Sequence, residues 1–469
     1  MKNQNQYVGE FPKQLEVQLF PSIGVRKGIS LDYKYWLKKD GMKMESTENT
    51  TVTDPNSNPE ASFYERPHVH IEQIPVGGGI PIGIESVVNP TVGIGGAYGT
   101  WGESCDNWNL PRLYEQVTGE PLADDEKLNL AELGFLYRQH TPILSGAENI
   151  ELEVQVGARF LSEAAHASGW DPGEVEAVLV GNSGPVTDDY TERIAKRAGI
   201  PESALKVSIH KACDSSVAGL NLALNPNLPI DKQLGQNLAE VLIGKKVLVG
   251  GIEGLSRFVQ SSRDKNALQL FGNGAGVIGL IPGQSMKFLV GQTREVFDEE
   301  GVLAVRMYYP HSGQQVEGQS NIEVTQPKPN NIRVAGLMHE PDGESPIEMA
   351  GMMGMVKLFV RTGVQVVQEV YQAYQKKMAE LGLPGKEIAV AIVHHANLKI
   401  NQLKEKTLQK EGIRIPMPWL LKDFGNVSAA SNMIAFLRKL SSLKPGDHVL
   451  FDGFGAGTYY DVLAVELGG

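Results

Sequence analysis

The chain has 469 residues, 41% of them hydrophobic, enough to bury one large core or two to three domains. A net charge of −12 argues against non-specific attraction to nucleic acid or to an anionic membrane surface. Only two cysteines occur, Cys105 and Cys213, which excludes a disulfide framework and a cysteine-built metal site.

The start, Met1-Lys-Asn-Gln-Asn-Gln, is polar and lacks the apolar core of a signal peptide, and no apolar run reaches the roughly 18 residues of a membrane span. The expectation is a soluble protein of a reducing, cytoplasmic compartment. Residues 1–90 carry the weakest pattern and read as an N-terminal extension or insert. Lys38 to Pro59, rich in Asn, Thr and Ser, predicts a loop. His68 and His70 put two imidazoles on one face of a short strand, a metal pair short of a third ligand. Gly77 to Gly83 predicts a hairpin turn, since no strand–turn–helix follows it in the nucleotide-binding manner.

From Thr91 the texture is α/β. Residues 91–285 form a first half and 286–469 a second. In the first, Val92–Tyr98 predicts a short strand and turn, Glu148–His166 a helix, and Val175–Val180 a strand covered on both faces. A helix over Asp189–Ala198 and a buried strand over Lys245–Gly251 follow, then Phe271-Gly-Asn-Gly-Ala-Gly276 and a closing turn at Ile281–Gln284. In the second, Gln326–Asn331 predicts a Pro-rich connector, Met349–Leu381 a long helix and Ile388–Val393 a buried strand ending at His394-His395. Asn401–Gly412 is helical, Asp423–Ser431 opens a small-residue helix, and His448–Asp452 is a strand running into Gly453-Phe-Gly-Ala-Gly457. The halves share this outline without sequence identity.

Cys213 falls where an alternating strand, Leu205 to His210, meets a small-residue apolar helix. Helix-start N–H groups favour a thiolate and can hold an oxyanion. A buried structural cysteine fits the same stretch. A nucleophilic cysteine needs partners, and the second half supplies three candidates placed after a strand or at a helix start. His394 follows a buried strand. Asn426, in a Gly-Asn turn, has an amide able to donate to a carbonyl. Gly455-Ala-Gly457 can turn backbone N–H groups inward. Each taken alone also fits a plain role, as a loop histidine, a helix cap or a glycine turn.

Together with their flanks these residues resemble one family. Val393-His-His-Ala-Asn-Leu-Lys-Ile400 is similar to the His-Gln-Ala-Asn-Leu-Arg-Ile signature of the β-ketoacyl-acyl-carrier-protein synthase III family. Phe424-Gly-Asn-Val-Ser-Ala-Ala-Ser431 resembles its Gly-Asn-Thr-Ser-Ala-Ala-Ser, and Phe271–Gly276 its Phe-Gly-Asp-Gly-Ala-Gly. Leu443–Asp447 and Asp452–Gly457 resemble its last loop and oxyanion turn. The likeness runs from about Thr91 to Gly469.

It implies a thiolase-like α/β fold, two pseudo-repeated halves in five αβαβα layers, assembled as a homodimer. It implies Cys213 as nucleophile, His394 and Asn426 as the pair at a decarboxylation site, the N–H groups of Cys213 and Ala456 as the oxyanion hole, and Lys399 as a carrier contact. The implied reaction is transfer of an acyl group from a CoA or acyl-carrier-protein thioester to the cysteine, then decarboxylative condensation with a malonyl thioester, without metal or organic cofactor. Non-decarboxylating condensation, with Glu163 as a candidate base, acyl transfer to an oxygen or nitrogen nucleophile, and a non-catalytic partner subunit are the competing readings. The chain departs from the family pattern in Asp214-Ser-Ser after the cysteine, Lys399 for Arg, His395 for Gln, an insert at Asn225–Gln236, and no match near Leu133–His140 for the Trp and Arg that grip the CoA adenine.

Overall fold

The computed structural model describes residues 70–184, 186–228, 234–260, 264–295, 305–307, 322–336, 347–349, 356–455 and 459–468. The chain divides into two compact units, Met1–Asp54 and Pro55–Gly469, and all described residues belong to the second. The loop expected at Lys38–Pro59, His68 and the oxyanion candidate Ala456 lie outside the described residues.

The first strands are β1 (His70–Ile74), β2 (Ile80–Asn89), β3 (Ile94–Trp101), β4 (Glu103–Asp106) and β5 (Tyr137–His140), followed by helix α1 (Gly146–Ala167). Then come β6 (Ala177–Gly181), β7 (Leu205–His210), α2 (Ser215–Leu224), β8 (Val247–Glu253), β9 (Gly274–Leu280) and β10 (Met286–Glu295). Beyond these lie β11 (Val305–Met307), β12 (Ile322–Lys328), β13 (Asn331–Gly336), β14 (Ile347–Met349), α3 (Gly363–Glu380) and β15 (Val390–Val393). The chain closes with α4 (Leu398–Lys410), α5 (Ser431–Leu440), β16 (His448–Gly455) and β17 (Tyr459–Leu467).

A nine-stranded sheet runs β1-β2-β3-β9-β8-β6-β7-β13-β12 and a four-stranded sheet runs β10-β17-β16-β15. Between them lie α2, whose ten residues are all buried, and α5, equally apolar on the faces it turns to both sheets. A single core unites the inner faces: Leu179, Val207 and Val249 from one sheet, Leu220 and Phe436 from the helices, Val449 and Val465 from the other. Helix α1 covers the outer face of the first sheet through Val156, Phe160 and Ala164, and α3 covers the second through Val366, Val367 and Val370. Apolar strands such as β6 and β8, buried end to end, are what a sheet sandwiched on both faces requires. The result is five layers, α1 | sheet | α2, α5 | sheet | α3.

Three stretches depart from the sequence reading. Residues 80–89, within the stretch read as an extension, form β2, which pairs antiparallel with β3 from Ile82 to Asn89; Gly77–Gly79 supply the turn before it, all at positive φ. The connector expected at Gln326–Asn331 is a hairpin: β12 and β13 pair across Pro329-Asn330, and β13 lies parallel to β7. The first sheet thus takes a strand pair from beyond residue 286. Met349 ends β14, which pairs with β11, so the helix expected from Met349 does not include that residue; a π turn at Val356–Thr362 leads into the α-helix at Gly363.

Candidate active site

Two corners, one from each half, meet between the sheets. In the first, β7 ends at His210 and a single 3₁₀ turn, Ala212–Asp214, leads into α2. In the second, a turn at Ser428–Ala430 leads into α5. Ala212 (φ 51°) and Ser428 (φ 44°) are the two non-glycine residues with positive φ among those described, and each is the first residue of its turn. Such a conformation costs about 1–3 kcal/mol, so the surroundings have to impose it.

At the first corner Ser215 Oγ accepts from Lys211 N at 2.7 Å and reaches Ala212 O at 2.7 Å. Gly181, at the end of β6, leaves no room for a side chain, since a Cβ there would lie 2.6 Å from Ser215 Cβ. At the second, Asn426 N donates to Leu270 O (2.8 Å) and Gly272 N donates back to Asn426 O (3.1 Å). The Phe271–Gly276 motif is therefore the cradle of Asn426. Asp423, just upstream, is held by a two-pronged ion pair with Arg438 of α5, both contacts at 2.7 Å.

Cys213 is half-buried, whereas Cys105 is buried and its thiol is pushed up to about 11 by that burial. Ser428 Oγ donates to Cys213 Sγ at 3.0 Å. Asn426 Oδ1 accepts from Ser428 N (2.9 Å), and Asn426 Nδ2 makes a long 3.4 Å contact with Ala396 O. Two residues before Ala396, His394 follows β15, with its N donating to Asp452 O (3.0 Å), its Nδ1 2.6 Å from Ser431 Oγ and its ring edge-on to Phe454 at 5.0 Å. Burial, aided by His395 and Lys404, lowers His394 to about 3, so the ring is neutral and can donate or accept without carrying charge. The structure thus brings Cys213 and Asn426 to Ser428, and Asn426 Nδ2 reaches the loop that His394 opens.

Three titratable groups lie behind Cys213. The Lys211 ammonium contacts Asp461, and Asp214 Oδ2 at 3.4 Å. Burial opposes the Lys211 charge, but Asp461 and Asp214 outweigh it and raise its pKa. Asp214, raised by burial and by Asp461, holds its proton while Asp461 stays ionised, so the trio is close to neutral. Asp214 packs against Gly453, where a Cβ would fall 2.1 Å from its Oδ1. The Asp-Ser-Ser departure is accounted for in part: Asp214 ties the first corner to β16 and β17, and Ser215 fastens the turn.

The remaining sequence candidates lie elsewhere. Lys399, on the first turn of α4, is paired with Glu132 and partly exposed. His395 donates from Nδ1 to Val393 O (2.8 Å), accepts from Leu420 N (3.0 Å) and stacks on Trp419, the role of a structural brace. Glu163 pairs with Arg159 on the surface of α1 at 3.5 Å. Arg138 is buried and bound to Gln269 O and Asn107, so the segment 133–140 presents no arginine outward. His70 lies 3.7 Å from Glu72, and no group of three or more His, Cys, Asp or Glu among the described residues could hold a metal ion. No helix among the described residues is long and apolar enough to cross a membrane.

Residues 378–467 match the family model for the 3-oxoacyl-[acyl-carrier-protein] synthase III C terminal. A β-ketoacyl-[acyl-carrier-protein] synthase III of Clostridium tetani is 27% identical over 309 residues, covering 64% of this chain and 80% of that protein. A second, from Halalkalibacterium halodurans, is 26% identical over 313 residues, 65% of this chain and 80% of that one. The crystal structure of the 3-oxoacyl-[acyl-carrier-protein] synthase III of Aquifex aeolicus superimposes with a TM-score of 0.53 at 18% identity, over 77% of this chain and 95% of that one. This chain is similar to the synthase III enzymes and has the thiolase-like fold. These similarities indicate a thiolase-fold condensing enzyme. Sequence reasoning missed Ser428, Ser183, Glu253 and the Lys404–Asp452 pair. Ser428 stood inside a quoted motif, and Glu253 was visible as a carboxylate closing an otherwise apolar buried strand.

Proposed function

We propose that the protein is a 3-oxoacyl thioester synthase of fatty-acid biosynthesis or related acyl metabolism, working as a cytoplasmic homodimer on CoA or acyl-carrier-protein thioesters. Cys213 takes the acyl group as a thioester. A malonyl thioester then enters, and the neutral His394 ring and the Asn426 amide donate to its thioester carbonyl as CO₂ leaves. Donors fixed where the enolate oxygen gains charge lower the barrier without reorganisation. The enolate carbon attacks the acyl-cysteine carbonyl, held by the N–H groups of Cys213 and Ala456, and the new C–C bond forms as the sulfur departs. Lys399 meets the acidic carrier at the rim.

The observation that carries this reading is the junction of the two corners, with Ser428 Oγ 3.0 Å from Cys213 Sγ and its backbone N bound to Asn426. The test is intact-mass analysis after exposure to a panel of acyl-CoA thioesters, followed by labelled malonyl thioester. A single acyl adduct absent from Cys213→Ala, and CO₂ release from the wild type, are expected. An adduct without CO₂ release would favour acyl transfer or non-decarboxylating condensation, and no adduct would remove the enzymatic reading.

A further inference from the structure

Glu253 closes β8 with its carboxyl group fully buried. Its Oε1 accepts from Ser183 N and Ser183 Oγ, both at 2.6 Å, and from Ala429 N at 3.2 Å. Ser183 Oγ is in hydrogen-bond contact with Ser428 Oγ, and Ser428 Oγ lies 3.0 Å from Cys213 Sγ. Both serines are buried. The atoms form one unbroken row, Sγ of Cys213, Oγ of Ser428, Oγ of Ser183 and Oε1 of Glu253, that crosses from one half of the fold to the other. Each hydroxyl has a single hydrogen that can turn either way along the row. A strand wholly buried in apolar packing has no structural need of a carboxylate, and burying one is costly.

The geometry points to a proton relay in which Ser428 is a further catalytic residue and Ser183 and Glu253 are its positioning and storage groups. This rests on the reading of Cys213 as the acyl acceptor. As Sγ attacks the thioester carbonyl, its S–H bond breaks and the proton goes to Ser428 Oγ. Ser428 passes its own hydrogen to Ser183, and Ser183 passes its own to the Glu253 carboxylate, which becomes a neutral acid. The departing CoA or carrier thiolate takes a proton from water. Once condensation releases Cys213 as a thiolate, the row runs backwards and Glu253 returns the proton to sulfur. The enzyme ends as it began, and the thiol proton has been held inside the protein while the acyl group occupied the sulfur.

The surroundings suit storage. Burial first, then repulsion from the neighbouring Glu153, raises Glu253 to about 8 against the hydrogen bonds that favour its charge, so the carboxylate form that accepts the proton becomes populated as pH rises toward that value. Tyr190, whose hydroxyl donates to Glu153 O at 3.1 Å, and Arg257 face the same carboxyl pair from α1's neighbours and from the segment after β8. Lys211 and Asp214, which flank Cys213 in sequence, form with Asp461 a trio that is close to neutral.

The test follows alkylation of Cys213 by iodoacetamide, read by peptide mass, from about pH 6 to about pH 10, where thiolate content sets the rate. Ser183→Ala cuts the row by one oxygen, and Glu253→Gln pins Ser183 as a permanent donor to the new amide oxygen. In both, Ser428 loses the hydrogen bond that Ser183 would donate to it, so its own donation to a forming thiolate is no longer reinforced along the row. The alkylation midpoint is expected to rise by about one pH unit, a roughly tenfold loss at neutral pH. Loss of the Glu253 charge alone would move the midpoint down, because a nearby anion disfavours a thiolate. A midpoint that falls or stays put in Glu253→Gln, or stays put in Ser183→Ala, overturns the relay. If Glu253→Gln fails to fold by circular dichroism, Ser183→Ala decides. Alkylation needs no thioester, so a wild type that alkylates but never acylates would refute the proposed function while the midpoints still judge the relay.

Discussion

Lys404 and Asp452 form an ion pair in which neither side chain reaches solvent, and the Lys404 ammonium sits 4.6 Å over the Phe454 ring that packs edge-on to His394. The pair links α4 to β16 directly behind the His394 loop. Burial lowers Lys404 and raises Asp452, each resisted by the other's charge.

Breaking such a pair from one side leaves an uncompensated buried charge, which costs about 3–5 kcal/mol. Lys404→Met should therefore lower the denaturation midpoint by this order, and Lys404→Met/Asp452→Asn should recover most of the loss. Urea unfolding of the two variants checks it. Additive losses in the double variant would show that the pair is not coupled.

Stability should peak near pH 6.5. His140, His210, His394 and His395 are buried and lowered to about 3, 3, 3 and 4, mainly by desolvation. Their folded forms refuse the proton that the unfolded chain takes near 6.5, so stability is present above that value and drains as pH falls toward 4. Glu153 and Glu253 are raised to about 7 and 8 by burial. They hold protons in the fold that the unfolded chain loses near 4.5, so they oppose the histidine loss between 4.5 and 6.5 and cost stability as pH climbs past 7. Four histidines outweigh two carboxyls on the acid side. Thermal unfolding across pH, with a maximum displaced above pH 8 or below pH 5, would contradict this.

Asn426→Ala should separate the two half-reactions. Acylation of Cys213 uses a different set of donors and should stay within about threefold. Decarboxylation loses one fixed donor, and that is worth about 10²–10³ in rate. Single-turnover acylation and CO₂ release measured on the same preparation read the two steps separately.

Lys399, paired with Glu132 at the edge of the loop, is a rim charge. Lys399→Glu should raise KM for a carrier-protein thioester about tenfold, with a shallower salt dependence, and leave kcat for the CoA thioester nearly unchanged, as charge at a rim acts on encounter. An equal change with both donors would place Lys399 away from the carrier.

The sequence made the parts of this molecule legible wherever a single segment carries its own pattern. Strands β6, β8 and β16 are apolar runs bounded by turn residues, and Cys213, His394 and Asn426 each follow a strand or turn that can be read locally. Contacts made across the halves have no such signature. Glu253 and Ser183 are separated from Ser428 by more than half of a domain, and Lys404 is an ordinary lysine in helical spacing until Asp452 is placed beside it. The hairpin β12–β13 was hidden because Pro327 and Pro329 read as breakers. Proline is compatible with an edge strand and with the turn beside it.

That hairpin also decides how the large sheet can grow. β7 is flanked by β6 and β13, so both of its hydrogen-bonding edges are filled from within the chain. Among the described residues, the terminal strands of this sheet are β1 and β12. Strand β12 carries Pro327 and a register shift between Thr325 and Lys328, two features that blunt an edge against strand addition. Among the described residues, a second copy that extends this sheet would therefore come in along His70–Ile74, or else dock through side chains and leave the ladder of the large sheet closed.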